Sequence, residues 1–132
     1  CMVVLILHII NLTFMTIQNI TGTYQITGTN QDQDASPYKG LLTLVLDDNQ
    51  RIRATWLINK TQEQYGNGFF KNDILVLNFN YKGYNNQIYN GVVVYQCISA
   101  DFLEGFWSED FGNPLYLGLE RCFRLQPKTL IN

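Results

Sequence analysis

Tyr38-Lys-Gly-Leu-Leu-Thr-Leu-Val-Leu-Asp-Asp-Asn-Gln-Arg-Ile-Arg-Ala-Thr-Trp56 decides how the chain is read, because it has a counterpart. Tyr89-Asn-Gly-Val-Val-Val-Tyr-Gln-Cys-Ile-Ser-Ala-Asp-Phe-Leu-Glu-Gly-Phe-Trp107 opens on the same Tyr-x-Gly and closes on the same residue type. Gly40 stands as far from Trp56 as Gly91 does from Trp107, and the chain holds 2 tryptophans, one closing each copy. Self-similarity at a fixed period is a signature of architecture. It points to a unit of four strands used twice, with the two indoles in equivalent places.

Outward from this pair, the chain alternates with period two, which is the strand signal. Gly22 to Gly28 is the first strand, with Tyr24 and Ile26 on one face. Thr29 to Pro37 is polar and reads as a long turn. Tyr38 to Leu46 is the second strand. The third, Arg51 to Ile58, sets Ile52, Ala54, Trp56 and Ile58 against Arg51, Arg53 and Thr55, a half-buried pattern. Around Gln64 to Phe70, Gly66 and Gly68 share a face, which suggests room for a bulky neighbour or a bend. Lys71-Asn72-Asp73 signals a tight hairpin into the β-prone run Ile74 to Tyr81. Tyr89 to Ile98, Phe102 to Ser108, and Leu115 to about Leu125 complete the set.

Eight short strands with short turns and no helical period imply an all-β, antiparallel, up-and-down meander. Eight is also the number at which a closed barrel just holds side chains or one small ligand. Closure removes the edges that would make so β-rich a chain aggregate. A two-sheet sandwich needs longer cross-connections, and only Thr29 to Pro37 could serve, so an eight-stranded barrel with an internal two-fold repeat is expected.

The bulk properties bound the function. The chain has 132 residues, enough for one domain with a real core. We place the barrel at residues 21–126, an apolar segment at 1–20 and a short tail at 127–132. A net charge of −2 and pI near 5.2 leave no basic stripe for phosphates, so no nucleic-acid partner is expected. Scattered Asn and Gln alternate with apolar residues, as on a solvated outer face. Cys1, Cys97 and Cys122 are too few and odd in number for a disulfide framework, and His8 is the only histidine. No zinc-type ligand set exists, and neither a metal nor a cofactor is implied.

The run from Cys1 to Met15 is shorter than the roughly 20 residues of a membrane helix and is interrupted by His8 and Asn11, so no spanning helix is expected. It has the length of a signal core but lacks a basic n-region and a small-residue cleavage site. Translation starting at Met2 or Met15 is preferred to a working anchor. A Met15 start implies a cytoplasmic protein; a signal function implies a secreted or surface-anchored one. The Asn-x-Thr triplets at Asn11, Asn19 and Asn59 matter only on a glycosylating route.

The order Gly22-Thr-Tyr, Tyr38-x-Gly40, Trp56, Gly66-x-Gly68, a second Tyr-x-Gly strand, Gly105-x-Trp107 and Gly118-x-Glu120 resembles small bacterial β-barrel proteins of poorly defined function. Some of them are labelled fibronectin-binding, and their shape is similar to avidin and the lipocalins. The resemblance covers about Gly22 to Leu125 and implies a calycin- or avidin-like barrel. It does not imply biotin binding, because avidin's ordered polar contacts are missing.

Trp56 and Trp107 are the first candidate ligand-binding residues, with Tyr24, Tyr38, Tyr89 and Tyr95 sharing the inward parity. An aromatic cup with hydroxyl and indole N–H groups suits a small apolar or planar ligand. The same rings could equally fill the barrel. Trp56 precedes Leu57-Ile58 and should lie deep; Trp107 precedes the turn at Glu109 to Pro114 and should lie near a rim. Glu120 is also a candidate, but Leu117, Leu119, Phe123 and Leu125 form the more apolar face of the last strand, which would turn Glu120 and Cys122 outward. Asp101, Glu104, Glu109 and Asp110 read as a solvated acidic rim. Cys97 and Cys122, on strands separated by a third, should be free, buried and inert. No nucleophile elbow, phosphate loop or Cys–His pair is present, and no catalytic residue is assigned.

Three function classes follow. The favoured one is a non-enzymatic binder of a small apolar or aromatic ligand at one barrel mouth. A protein-interaction, adhesin-like module using the loops and outer face is the second, and a small barrel isomerase or cyclase is the third. An open cavity ringed by Trp56 and Trp107 separates the first from the second. The third needs an inward Glu120 within reach of a tyrosine hydroxyl.

Overall fold

The computed structural model describes residues 14–126. Eight antiparallel strands close into a barrel in chain order: β1 (Gly22–Thr29), β2 (Pro37–Leu46), β3 (Ile52–Ile58), β4 (Gln62–Lys71), β5 (Ile74–Lys82), β6 (Ile88–Ser99), β7 (Phe102–Glu109) and β8 (Gly118–Arg124). β1 pairs with both β2 and β8, so the sheet has no free edge and the sandwich is excluded. The alternation in sequence is the alternation in space. On β3, Ile52, Ala54, Trp56 and Ile58 are buried while Arg53 and Thr55 face water. Between β4 and β5, Asn72 and Asp73 both have positive φ (49° and 65°). That is the turn whose twist matches the flanking strands and which Asn and Asp tolerate.

The two tryptophan copies lie four strands apart, on β2–β3 and β6–β7, in the same hairpin register. Gly40 stands opposite Ile58 and Leu42 opposite Trp56; Gly91 stands opposite Glu109 and Val93 opposite Trp107. Both indoles face the barrel interior, Trp56 buried and Trp107 half-buried against the core.

β8 reverses the expected facing. Gly118, Glu120, Cys122 and Arg124 are buried, and Leu117, Leu119, Phe123 and Leu125 are exposed. The outward apolar groups continue across β7, where Phe102 stacks on Phe123 with ring centroids 5.1 Å apart and Phe106 stands opposite Leu119. What holds the polar set inside is a pair of networks whose partners come from distant parts of the chain. One surrounds Glu120 and is described below. The other closes one barrel end.

At that end a short helix, α1 (Ile17–Ile20), lies against the core, and Ile20 is fully buried although the sequence places it before the barrel. Arg124 donates to the carbonyls of Ala100 (2.9 Å), Thr21 (2.8 Å) and Asn19 (2.8 Å) and to the Tyr24 hydroxyl (2.8 Å). It also pairs with Asp101 at 3.2 Å, and its guanidinium carbon lies 4.8 Å from the Tyr24 ring centre. The Tyr24 hydroxyl has one hydrogen to donate and two carbonyls within reach, Ile20 at 2.7 Å and Ala100 at 3.0 Å. A buried guanidinium is stable only when its donors are spent in this way. Cys97 and Cys122 are free and buried. Among the described residues no helix is long and apolar enough to cross a membrane, which does not bear on strands. The N-terminal run through Thr13, the Asn11 triplet and the tail at 127–132 lie outside the described residues.

Candidate functional site

The opposite end of the barrel is open. A cavity of about 100 Å³ runs inward from this mouth, lined by aromatic rings from β2, β3, β5, β6 and β7 and by Glu120 from β8. The strand alternation puts each ring there. Phe79 and Tyr81 project inward from β5, Tyr95 from β6, Tyr38 from β2, Trp56 from β3 and Trp107 from β7. Phe79 meets Trp56 edge-on at 6.1 Å and Trp107 at 6.0 Å, and Tyr38 meets Trp107 edge-on at 6.4 Å. These are favourable edge-to-face arrangements. A glycine beside each indole lets it lie flat against the wall. A Cβ at Gly118 would overlap the Trp107 ring, and one at Gly66 would press on Trp56 and strike the Asn78 carbonyl.

Glu120 is the centre of the site. It is 4% exposed and accepts hydrogen bonds from the hydroxyls of Tyr38 (2.6 Å) and Tyr95, one to each carboxyl oxygen. Each hydroxyl is in turn the acceptor of an indole N–H: Trp107 donates to Tyr38 (3.0 Å) and Trp56 to Tyr95 (3.2 Å). An indole can only donate and a hydroxyl has one hydrogen. With Glu120 ionised, therefore, every hydrogen of the two chains Trp→Tyr→carboxylate has a partner. Burial opposes this and raises the Glu120 pKa above the ordinary carboxylate value, with the tyrosine hydrogen bonds pulling back the other way. Burial first, and the carboxylate second, push the Tyr38 and Tyr95 hydroxyls far above the ordinary phenol range. Both phenols stay protonated at neutral pH and act as donors.

At the rim, Glu109 accepts from the Tyr81 hydroxyl at 2.6 Å and faces the cavity, so it is not the solvated turn residue expected. Glu104 is exposed and pairs with Arg121 at 3.1 Å. Gln31, which reads as part of a polar turn, is buried. The two hydrogens of its side-chain NH2 have Ser108 Oγ, the Asn113 carbonyl and the Tyr116 carbonyl within reach, and its side-chain oxygen accepts from the Glu109 backbone N–H. It ties the β1–β2 loop to the β7–β8 loop beside the mouth.

Of the residues singled out in the sequence, Trp56, Trp107, Tyr38, Tyr95 and Glu120 come together in the cavity. Tyr24 does not: it is locked to Arg124 at the closed end. Tyr89 points inward but stands at the rim, stacked on Tyr81 at 5.3 Å and edge-on to Phe111 at 5.9 Å, and is not part of the cavity wall. Phe79, Tyr81 and Glu109 were missed, though the parity of Leu77 and Trp107 on their strands carries the signal for them. Nothing in the sequence distinguishes Gln31 from its polar neighbours. Among the described residues no group of three or more His, Cys, Asp or Glu is placed to hold a metal ion.

No protein-family model matches the chain, and no curated protein matches it. Solved structures similar to it are designed barrels. One is a redesigned β-barrel, mFAP0, bound to DFHBI: 20% identity over 81% of this chain and 100% of that one, TM-score 0.63. A second, mFAP1, also bound to DFHBI, is 20% identical over 81% of this chain and 95% of that one, TM-score 0.61. A third, the redesigned barrel b11L5F_LGL, is 16% identical over 83% and 94%, TM-score 0.61. At these identities the likeness is one of fold.

Proposed function

We propose that this barrel is a non-enzymatic binding protein that holds a small aromatic or apolar molecule at its open mouth. The observation that carries the reading is the cavity itself. A barrel of this size can fill its interior with side chains, yet here side chains leave a space between Trp56, Phe79, Tyr81 and Trp107 that opens to solvent. Concave, aromatic-lined and carrying a few fixed polar groups, it has the make-up of a small-molecule site. The use of barrels of this shape to hold DFHBI in two of the designed neighbours is consistent with the reading. Native mass spectrometry of the protein against a set of small aromatic compounds tests it. A 1:1 adduct that Trp107→Ala abolishes supports the site, and an absence of any adduct, or one indifferent to Trp107, removes it.

A second reading has one observation in its favour. Glu120 lies within hydrogen-bond reach of two tyrosine hydroxyls, which is the minimum a barrel isomerase or cyclase needs. Against it, both hydroxyls are committed to the carboxylate and held far from any useful acidity near neutral pH. Proton exchange into the substrate, followed in deuterated water, would favour this reading over simple binding.

A further inference from the structure

Among the described residues the buried charged side chains are Glu120 and Arg124, and they are not partners. Arg124 spends its donors at the closed end of the barrel. Glu120 sits against the cavity with two neutral hydroxyls, the Cys122 thiol 3.9 Å from one oxygen and, among the described residues, no ion pair. An ion removed from water costs several kcal/mol unless another charge answers it. One resolution is protonation, which the two hydroxyls donating to Glu120 oppose; the other is a nearby Lys, Arg or His. Among the described residues no such side chain lines the cavity, and the second charge facing it, Glu109, is of the same sign. The remaining wall is made of the faces and edges of Trp56, Phe79, Tyr81 and Trp107, with the neutral amides of Asn30, Gln62 and Gln64 toward the mouth. Aromatic faces carry negative potential and attract cations, more strongly where water is excluded.

We infer that the site selects an organic cation: a compact, flat or quaternary amine whose charge answers Glu120 while its hydrocarbon part lies among the indoles. The inference rests on the binding reading above and narrows its ligand class. Both carboxylates, the missing basic residue and the ring of aromatic faces act in the same direction. An anionic ligand would meet repulsion from Glu120 and Glu109 with no donor to offset it except the rim amides. A neutral aromatic would gain the contacts with the rings but leave the buried carboxylate unanswered. Size also limits the occupant. An engineered apolar cavity of roughly 150 Å³ takes benzene. The space of about 100 Å³ here, open at one end, holds a single ring or a trimethylammonium group with the rest of the molecule in the mouth.

The test uses three probes of nearly one shape, benzylamine, benzyl alcohol and benzoate, titrated into the full chain at neutral pH and constant ionic strength. Tryptophan fluorescence is the readout, since both tryptophans of the chain line the cavity. Benzylamine should bind at least about tenfold more tightly than benzyl alcohol, with benzoate weakest. In Glu120→Gln the amine should lose that advantage while the alcohol binds as before. Glu109→Gln, at the rim and outside the buried network, should reduce the preference in part and guards against a folding defect in the first variant. Equal or tighter binding of benzyl alcohol or benzoate by the unmodified chain overturns the cation inference and leaves the pocket reading standing. No binding of any of the three, with ligands saturating in concentration, overturns both.

Discussion

Truncating the two tryptophans separates the part of the barrel that holds the fold from the part that meets a ligand. Trp56 is 3% exposed, packed edge-on to Phe79 and hydrogen-bonded to Tyr95. Trp56→Ala therefore removes nearly a whole buried indole and should cost about 3–5 kcal/mol, the range of large-to-small core changes. Trp107 is half-buried, and one side of its ring borders the cavity. The space left by Trp107→Ala merges with an opening that water already reaches, so the cavity penalty is small. The loss reduces to part of the transfer term and one hydrogen bond to Tyr38, about 1–2 kcal/mol. A difference of about 2 kcal/mol with a urea slope of 1–3 kcal/mol/M separates the two midpoints by about 1 M. Urea melts followed by far-ultraviolet circular dichroism measure it. The ligand affinities should run in the opposite order, with Trp107→Ala abolishing binding to a still-folded protein. Equal, large losses of stability would mean that both rings are packing, and the division between core and pocket would be wrong.

Three further outcomes follow from the buried polar groups. Burial raises the Glu120 pKa above the ordinary 4.5, so the folded protein holds that proton more tightly than the unfolded chain. The stability this contributes is complete below about pH 4.5 and is lost as pH rises through the folded-state value. Relative to Glu120→Gln, the unmodified protein should thus lose stability as pH rises above about 4.5; a constant or growing advantage contradicts the assignment. Arg124→Met removes the donor that links the Asn19, Thr21 and Ala100 carbonyls and the Tyr24 hydroxyl, and should destabilise by about 3 kcal/mol; a loss below about 1 kcal/mol in thermal melts would show that α1 does not need this lock. Burial lifts the Cys97 thiol to about 12 and raises Cys122 as well. Both should resist a thiol reagent in the native protein and react only at the rate of unfolding; rapid modification of either contradicts the closed interior.

The barrel was legible because its strands carry their facing in their own composition. On β3 apolar and polar residues alternate from Ile52 to Trp56, and each neighbouring hairpin has its own turn residues. β8 is where that logic fails. Leu117, Leu119, Phe123 and Leu125 look like the core face and lie outside, while Gly118, Glu120, Cys122 and Arg124 look like the solvent face and lie inside. Local hydrophobicity cannot decide such a strand. The groups that make its polar side internal are Tyr38 on β2, Tyr95 on β6, and the backbone of Asn19, Thr21 and Ala100 at the closed end, 24 to 105 residues away in the chain. Tyr24 and Tyr95 share parity and residue type, yet one serves the closed end and the other the cavity. Depth along the barrel axis is a property of register, which period-two alternation does not encode. Gln31 was hidden for the same reason, since its partners lie on the β7–β8 side of the barrel.

The indole N–H groups of Trp56 and Trp107 report on the central claim most directly. Each gives its own signal in a nitrogen-15 correlation spectrum, and each donates to a tyrosine that contacts Glu120. Titration with benzylamine should move both signals together to saturation with one dissociation constant. The amides of Phe106, Leu119 and Phe123 on the outer face should stay in place. Indole signals that hold still while outer-face amides shift to saturation would show that the barrel recognises its partners with its exterior, and that the cavity between the two tryptophans is not a binding site.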